Sequence, residues 1–82
     1  MAHYIYILQS LKDDRYYIGE TSDVQARLQF HNAGRQRSTK HRAPFKLILT
    51  EEYPNREKAL TREKQIKSWK GGAAFKRLLG GT

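Results

Sequence analysis

The chain opens on an alternating run. From His3 to Gln9 the sequence suits a β-strand, with Ile5 and Ile7 facing one way and Tyr4, Tyr6 and Leu8 the other. Arg15 to Glu20 predicts a second strand, with Ile18 on one face and Tyr17 and Gly19 on the other. A turn over Leu11 to Asp14 joins the two into a hairpin. The register that matches apolar neighbours pairs Leu8 with Tyr17, Ile7 with Ile18 and Tyr6 with Gly19. Slipping it by one residue breaks that match. In this register Tyr6 and Tyr17 share a face and lie diagonally within reach of each other. Gly19 leaves open space over the Tyr6 ring.

Thr21-Ser22-Asp23 starts a helix, with Ser22 or Thr21 as cap and Asp23 at the positive end of the dipole. The helix runs to about Asn32 and stops at Gly34. Gly34 to Ala43 reads as a polar, basic loop. Pro44 precedes a third strand, Phe45 to Tyr53. Asn55 caps a second helix that runs to about Trp69. Gly71-Gly72 breaks it, and Ala73 to Leu79 forms a last short helix. The expected class is α/β (α+β): a small three-stranded, mainly antiparallel sheet flanked by helices, in the order ββαβαα, as one domain over residues 1–82.

Composition narrows the function. There is no cysteine, so disulfides, thiolate metal sites and cysteine nucleophiles are excluded. No apolar run is long enough to cross a bilayer, and the first residues lack a signal-peptide layout. A cytoplasmic protein without a membrane partner is expected. Lys and Arg number 16 against 8 Asp and Glu, a formal charge of +8. That excess points to a polyanion, with nucleic acid as first candidate.

Two helices carry candidate chemistry. Val24 and Leu28 mark the buried stripe of the first helix. Arg27 and His31, four residues apart, stack on a face that overlaps this stripe. An arginine that snorkels and a histidine that meets the helix dipole are the ordinary alternatives. In the second helix Ala59, Ile66 and Lys70 form one stripe, with Glu63 in its middle. A carboxylate there is costly unless it is paired or holds a metal. Arg27 or another cation would satisfy it. So would a hard divalent ion, since Mg²⁺ commonly takes only one or two protein carboxylates.

These residues, taken in order, resemble the GIY-YIG nuclease domain in its small standalone bacterial form, similar to the N-terminal nuclease domain of the bacterial excision-repair endonuclease. Tyr4-Ile5-Tyr6 matches the first motif, with tyrosine where the name has glycine, and Tyr17-Ile18-Gly19 matches the second. Gly19 to His31 matches the helix motif in which an arginine is followed four residues later by a histidine. Ala59-x-x-x-Glu63-x-x-Ile66-Lys67 matches the segment with the metal glutamate. Ser38-Thr39-Lys40 resembles the loop of the standalone group.

The resemblance implies hydrolysis of phosphodiester bonds in DNA with one divalent ion, Mg²⁺ or Mn²⁺, and no small-molecule cofactor. By position, Glu63 would hold the ion, Tyr6 or Tyr17 would activate or place the water, Arg27 would neutralise the phosphate and His31 would assist proton transfer. A phenol has a reference pKa of about 10, which Arg27 and a metal would lower. His31, at about 6.5, competes as general base. Arg35, Arg37, Lys40, His41, Arg42, Lys67 and Lys70 are left to grip the phosphate backbone, with weak sequence preference. Some family members carry an asparagine near the end of the domain, whereas here none follows Asn55. A non-catalytic nucleic-acid-binding module on the same fold is the alternative.

Overall fold

The computed structural model describes residues 1–80. Three strands, β1 (His3–Ser10), β2 (Tyr16–Thr21) and β3 (Phe45–Tyr53), form an antiparallel sheet in the order β2-β1-β3. Three helices, α1 (Val24–Asn32), α2 (Arg56–Trp69) and α3 (Ala73–Leu78), flank it, and a single 3-10 turn spans Lys40–Arg42. The order ββαβαα and the strand pairs Leu8–Tyr17, Ile7–Ile18 and Tyr6–Gly19 match expectation.

Alternation in β1 divides the core in two. Ile5 and Ile7 face α2 and α3, where they meet Ile18, Ala59, Ile66 and Phe75. Tyr6 and Leu8 face the other way, against Phe45 and the half-buried Val24, Leu28 and Leu47. Helices α1 and α2 therefore lie on opposite faces of the sheet, rather than in one covering layer. Ile48 is the extra residue of a β-bulge, because Ile7 pairs with Leu49 and Leu8 with Leu47.

Local chemistry sets the element ends. The cap of α1 is neither Thr21 nor Ser22. Asp23 accepts from the Ala26 amide at 3.0 Å, while Thr21 Oγ1 accepts from the Asp23 amide at 3.1 Å and shapes the turn that leads into the helix. Asn55 caps α2 through Lys58 N at 2.9 Å. Gly34 and Gly71 close α1 and α2 at φ of 71° and 87°, which a side chain resists. Asn32 clamps α1 to β3: its Oδ1 accepts from Phe45 N at 2.6 Å and its Nδ2 donates to Phe45 O at 3.2 Å. That clamp fixes the depth of His31, the residue before it.

The basic loop is more anchored than its composition suggests. Ser10 is fully buried, and its hydroxyl donates to Arg42 O at 2.6 Å while accepting from the amides of Lys12 and Asp13. One side chain thus holds the β1–β2 turn and the 3-10 turn together. Arg42 is correspondingly half-buried, unlike Arg35, Arg37, Lys40 and His41, which are exposed or nearly so.

Candidate active site

Tyr6, Tyr17 and His31 converge on the α1 face of the sheet. The Tyr6 and Tyr17 ring centroids are 6.1 Å apart, and that of Tyr17 lies 4.7 Å from His31. Val24, Arg27, Leu28 and His31 fall at helical spacing on one side of α1, which carries His31 down into the core. His31 has no exposed surface and Tyr6 only 2%. Tyr17 is half-buried, and its hydroxyl accepts from the Gln36 side chain at 3.2 Å.

A hydrogen-bonded chain runs through this cluster. The Tyr6 hydroxyl lies 3.1 Å from His31 Nε2, and His31 Nδ1 lies 3.0 Å from Thr39 Oγ1. Thr39, 1% exposed, reaches the Gln36 carbonyl at 3.5 Å. Burial, helped by the nearby Arg27 cation, pushes His31 below the usual imidazole range. The ring is thus neutral at physiological pH, with one nitrogen donating and the other accepting.

In the protein alone, the cation of Arg27 does not suffice to draw the Tyr6 phenol towards phenolate. Burial comes first, and with the neighbouring Tyr17 and Glu63 it pushes the Tyr6 hydroxyl well above the ordinary phenol range. Arg27 opposes this, but desolvation wins. Tyr6 keeps its proton at neutral pH.

Gly19 is what lets Tyr6 lie there. A β-carbon on residue 19 would sit 2.5 Å from the Tyr6 hydroxyl oxygen and 2.9 Å from Cε1. The phenol therefore lies flat across the glycine towards the free edge of β2. Because Tyr6 is buried, it has nowhere to retreat. Gly19→Ala is expected to cost about 1–3 kcal/mol, as overpacking does, and to break the bond between Tyr6 and His31. Urea unfolding and the Tyr6 ring resonances check this. Unchanged stability and unchanged ring shifts would refute the close-packing account.

Glu63 lies on α2, the helix that packs on the other face of the sheet. Helix α2 runs alongside β2, with Arg56 bonded to Glu20 at one end and Lys70 bonded to the Tyr16 carbonyl at the other. Glu63 is midway along α2, and its charge adds a small push to the proton affinity of the Tyr6 hydroxyl. Its side chain is 15% exposed and pairs with Lys67 at 2.7 Å. The cation that satisfies this carboxylate is therefore Lys67 one turn on, not Arg27. Arg27 instead lies over Phe30, 5.3 Å from the ring centroid.

The remaining candidates do not join the cluster. Arg35, Arg37, Lys40 and His41 lie on the loop after α1, whereas Arg42 and Lys70 line a cavity at the β1–β2 turn end. Thr39 and Gln36, by contrast, join it without having been candidates. The one signal for them in the sequence is the Ser38-Thr39-Lys40 match.

With this geometry in place the class is defined: the chain belongs to the GIY-YIG family, whose catalytic-domain model matches residues 2–76. It is a family of nucleases. Within it, the relatives are UPF0213 proteins. BH0048 of Halalkalibacterium halodurans is 40% identical over 68 residues, covering 82% of this chain and 71% of the relative. A relative in Haloquadratum walsbyi is 41% identical, covering 82% and 75%. The solution NMR structure of the UPF0213 protein BH0048 from Bacillus halodurans superposes with a TM-score of 0.54 at 36% identity, over 96% of this chain and 82% of that one.

Proposed function

We propose that the protein is an endonuclease that hydrolyses phosphodiester bonds in DNA with one divalent ion, Mg²⁺ or Mn²⁺. The observation that carries this is the buried chain Tyr6–His31–Thr39, beside a second phenol and under the charge of Arg27.

The residues fit a single hard ion held through one carboxylate. Glu63 is largely shielded, and its charge already acts on the Tyr6 hydroxyl. Among the described residues no cluster of three His, Asp or Glu side chains is placed to cage an ion. Mg²⁺ needs no such cage, because water and substrate phosphate complete its shell. Bound at Glu63, an ion would supply Lewis-acid stabilisation of the phosphate charge. Lys67 would have to release the carboxylate.

The chain's own residues supply the proton path. The attacking water forms the new oxygen–phosphorus bond while the bond to the leaving oxygen breaks, its electron pair staying on that oxygen, which takes up a proton from solvent. Tyr6 takes the proton of the water as it gives its own to His31 Nε2. Such a concerted transfer needs no free phenolate, so the raised affinity of Tyr6 for its proton is no obstacle. It needs the His31 tautomer with Nδ1–H directed to Thr39, which the Thr39 contact with the Gln36 carbonyl supports. Tyr17, more exposed, positions the phosphate. Arg27 offsets the charge that develops there.

The exposed cations of the loop hold the DNA backbone without reading bases, which suits substrates chosen by structure, as in repair or recombination. Incubation of labelled branched, nicked and single-stranded DNA with Mn²⁺ is the direct test. Glu63→Gln is expected to raise the Mn²⁺ concentration for half-maximal cleavage by more than the about 10–100-fold that loss of an outer-shell partner costs, because Glu63 is the ligand itself. Equal cleavage by parent and variant at every Mn²⁺ concentration would remove Glu63 from the site. DNA binding without any cleavage would leave the non-catalytic binding module as the function.

A further inference from the structure

The end of the sheet near the β1–β2 turn carries a cavity that the cleavage chemistry does not use. Its volume is about 590 Å³, within the range of small-molecule sites. Tyr16 and Phe75 line it as an edge-to-face aromatic pair, with centroids 5.2 Å apart and planes at 76°. Arg15, Arg42, Lys70 and Lys76 also line it, against one carboxylate, Asp14.

These cations are poorly neutralised by the protein. Lys70 spends its ammonium on the Tyr16 carbonyl, at 2.6 Å. The buried Nε and Nη2 of Arg42 have no hydrogen-bond acceptor, although Asp13 lies 3.3 Å from Nε. Burial and the Arg42, Lys67 and Arg15 cations hold Lys70 below the usual lysine range. Like charges gathered around a recess repel one another, and an anion bound among them relieves that repulsion. Tyr16 and Leu79, both half-buried, add an apolar wall that a bare anion does not use.

The cavity also adjoins the candidate active site. Tyr16 and Tyr17 are successive residues of an edge strand and project to opposite faces. The loop after α1 spans the same distance. Gln36 bonds Tyr17, Thr39 bonds His31, and Arg42 lines the cavity. One edge strand thus separates the two.

We propose that this cavity binds an unpaired nucleotide of the nucleic-acid substrate, the base against the half-buried Tyr16 ring, which the core residue Phe75 backs, and its phosphate among Arg15, Arg42 and Lys70. The proposal rests on the nuclease reading for the identity of the ligand, and it implies substrates with a single-stranded segment beside the cut. Base–aromatic contact tolerates any base, because every base presents a π-face.

Amide NMR titration of the full chain, without divalent ion, tests it apart from cleavage. The probes are a single-stranded DNA octamer, a blunt duplex of the same length, deoxyadenosine monophosphate and inorganic phosphate. The octamer is expected to shift the amides of Tyr16, Lys70 and Phe75 at lower concentration than the duplex or the mononucleotide. Tyr16→Leu and Lys70→Gln should each weaken octamer binding about tenfold, with Lys76→Gln as an exposed variant that leaves the packing intact. Equal shifts with inorganic phosphate would overturn the base contact. A mononucleotide that binds as tightly as the octamer would overturn the strand assignment, and so would equal binding of duplex. If cleavage fails for every substrate but these amides still respond to the octamer, the cavity assignment stands and the catalytic reading alone falls.

Discussion

Replacing Tyr6 by phenylalanine is expected to slow DNA cleavage by about 10²–10⁴-fold, the range a positioned proton carrier contributes. The ring would remain packed against Tyr17 and His31, so the sheet face is preserved. The lost hydroxyl removes one partner from His31 Nε2, at a cost of about 1 kcal/mol. Loss of activity should therefore exceed loss of stability by far, and a melting curve beside the cleavage rate separates the two. Tyr17→Phe is expected to cost less. Its hydroxyl accepts from Gln36 rather than meeting the imidazole that takes the proton of Tyr6. If Tyr17→Phe proves the more damaging, the two phenols exchange roles. If neither variant loses activity, the relay through His31 is not the proton path.

Much of this arrangement was legible in the sequence. Apolar matching alone set the β1–β2 register, because a slip would pair Ile7 and Ile18 with polar or aromatic neighbours of the wrong face. Asn55, Gly34 and Gly71 mark helix ends by local chemistry. The i, i+4 spacing put Arg27 and His31 on one stripe of α1, of which His31 is buried in the core while Arg27 lies half-buried over Phe30. What was not legible depends on the third dimension. A helical stripe shows that α2 buries Ala59 and Ile66, but not which sheet face receives them. The influence of the Glu63 charge on Tyr6, from the opposite face, therefore could not be read. The Thr39 and Gln36 bonds depend on the path of an irregular loop. The Glu63–Lys67 pair, by contrast, was written in the i, i+4 spacing. The raised proton affinity of Tyr6 followed from its depth, which alternation suggested and charge counting obscured.

Arg27→Met should reveal electrostatics and catalysis in one protein. Methionine preserves the helix and the apolar stem while removing the cation. Arg27 now disfavours imidazolium at His31 and favours phenolate at Tyr6. Without it, both groups should hold their protons more tightly, so His31 moves up towards its ordinary value of 6.5 and Tyr6 moves further up. A protonated His31 cannot accept from Tyr6. The acid limb of the cleavage profile should therefore shift to higher pH in the variant. Stability follows the same sign. The folded His31 titrates below its unfolded value, so its contribution is full above about 6.5 and is lost as pH falls towards the folded value. Raising the folded value narrows that window, and the variant should lose less stability on acidification than the parent. Cleavage at neutral pH should fall about 10²–10³-fold, as when one donor to a developing oxyanion is removed. Arg27→Lys should recover the His31 titration but only part of the rate, because lysine keeps the charge without the planar fork. An imidazole titration, followed by NMR, that is identical in parent and Arg27→Met would show that this arginine does not act on the cluster.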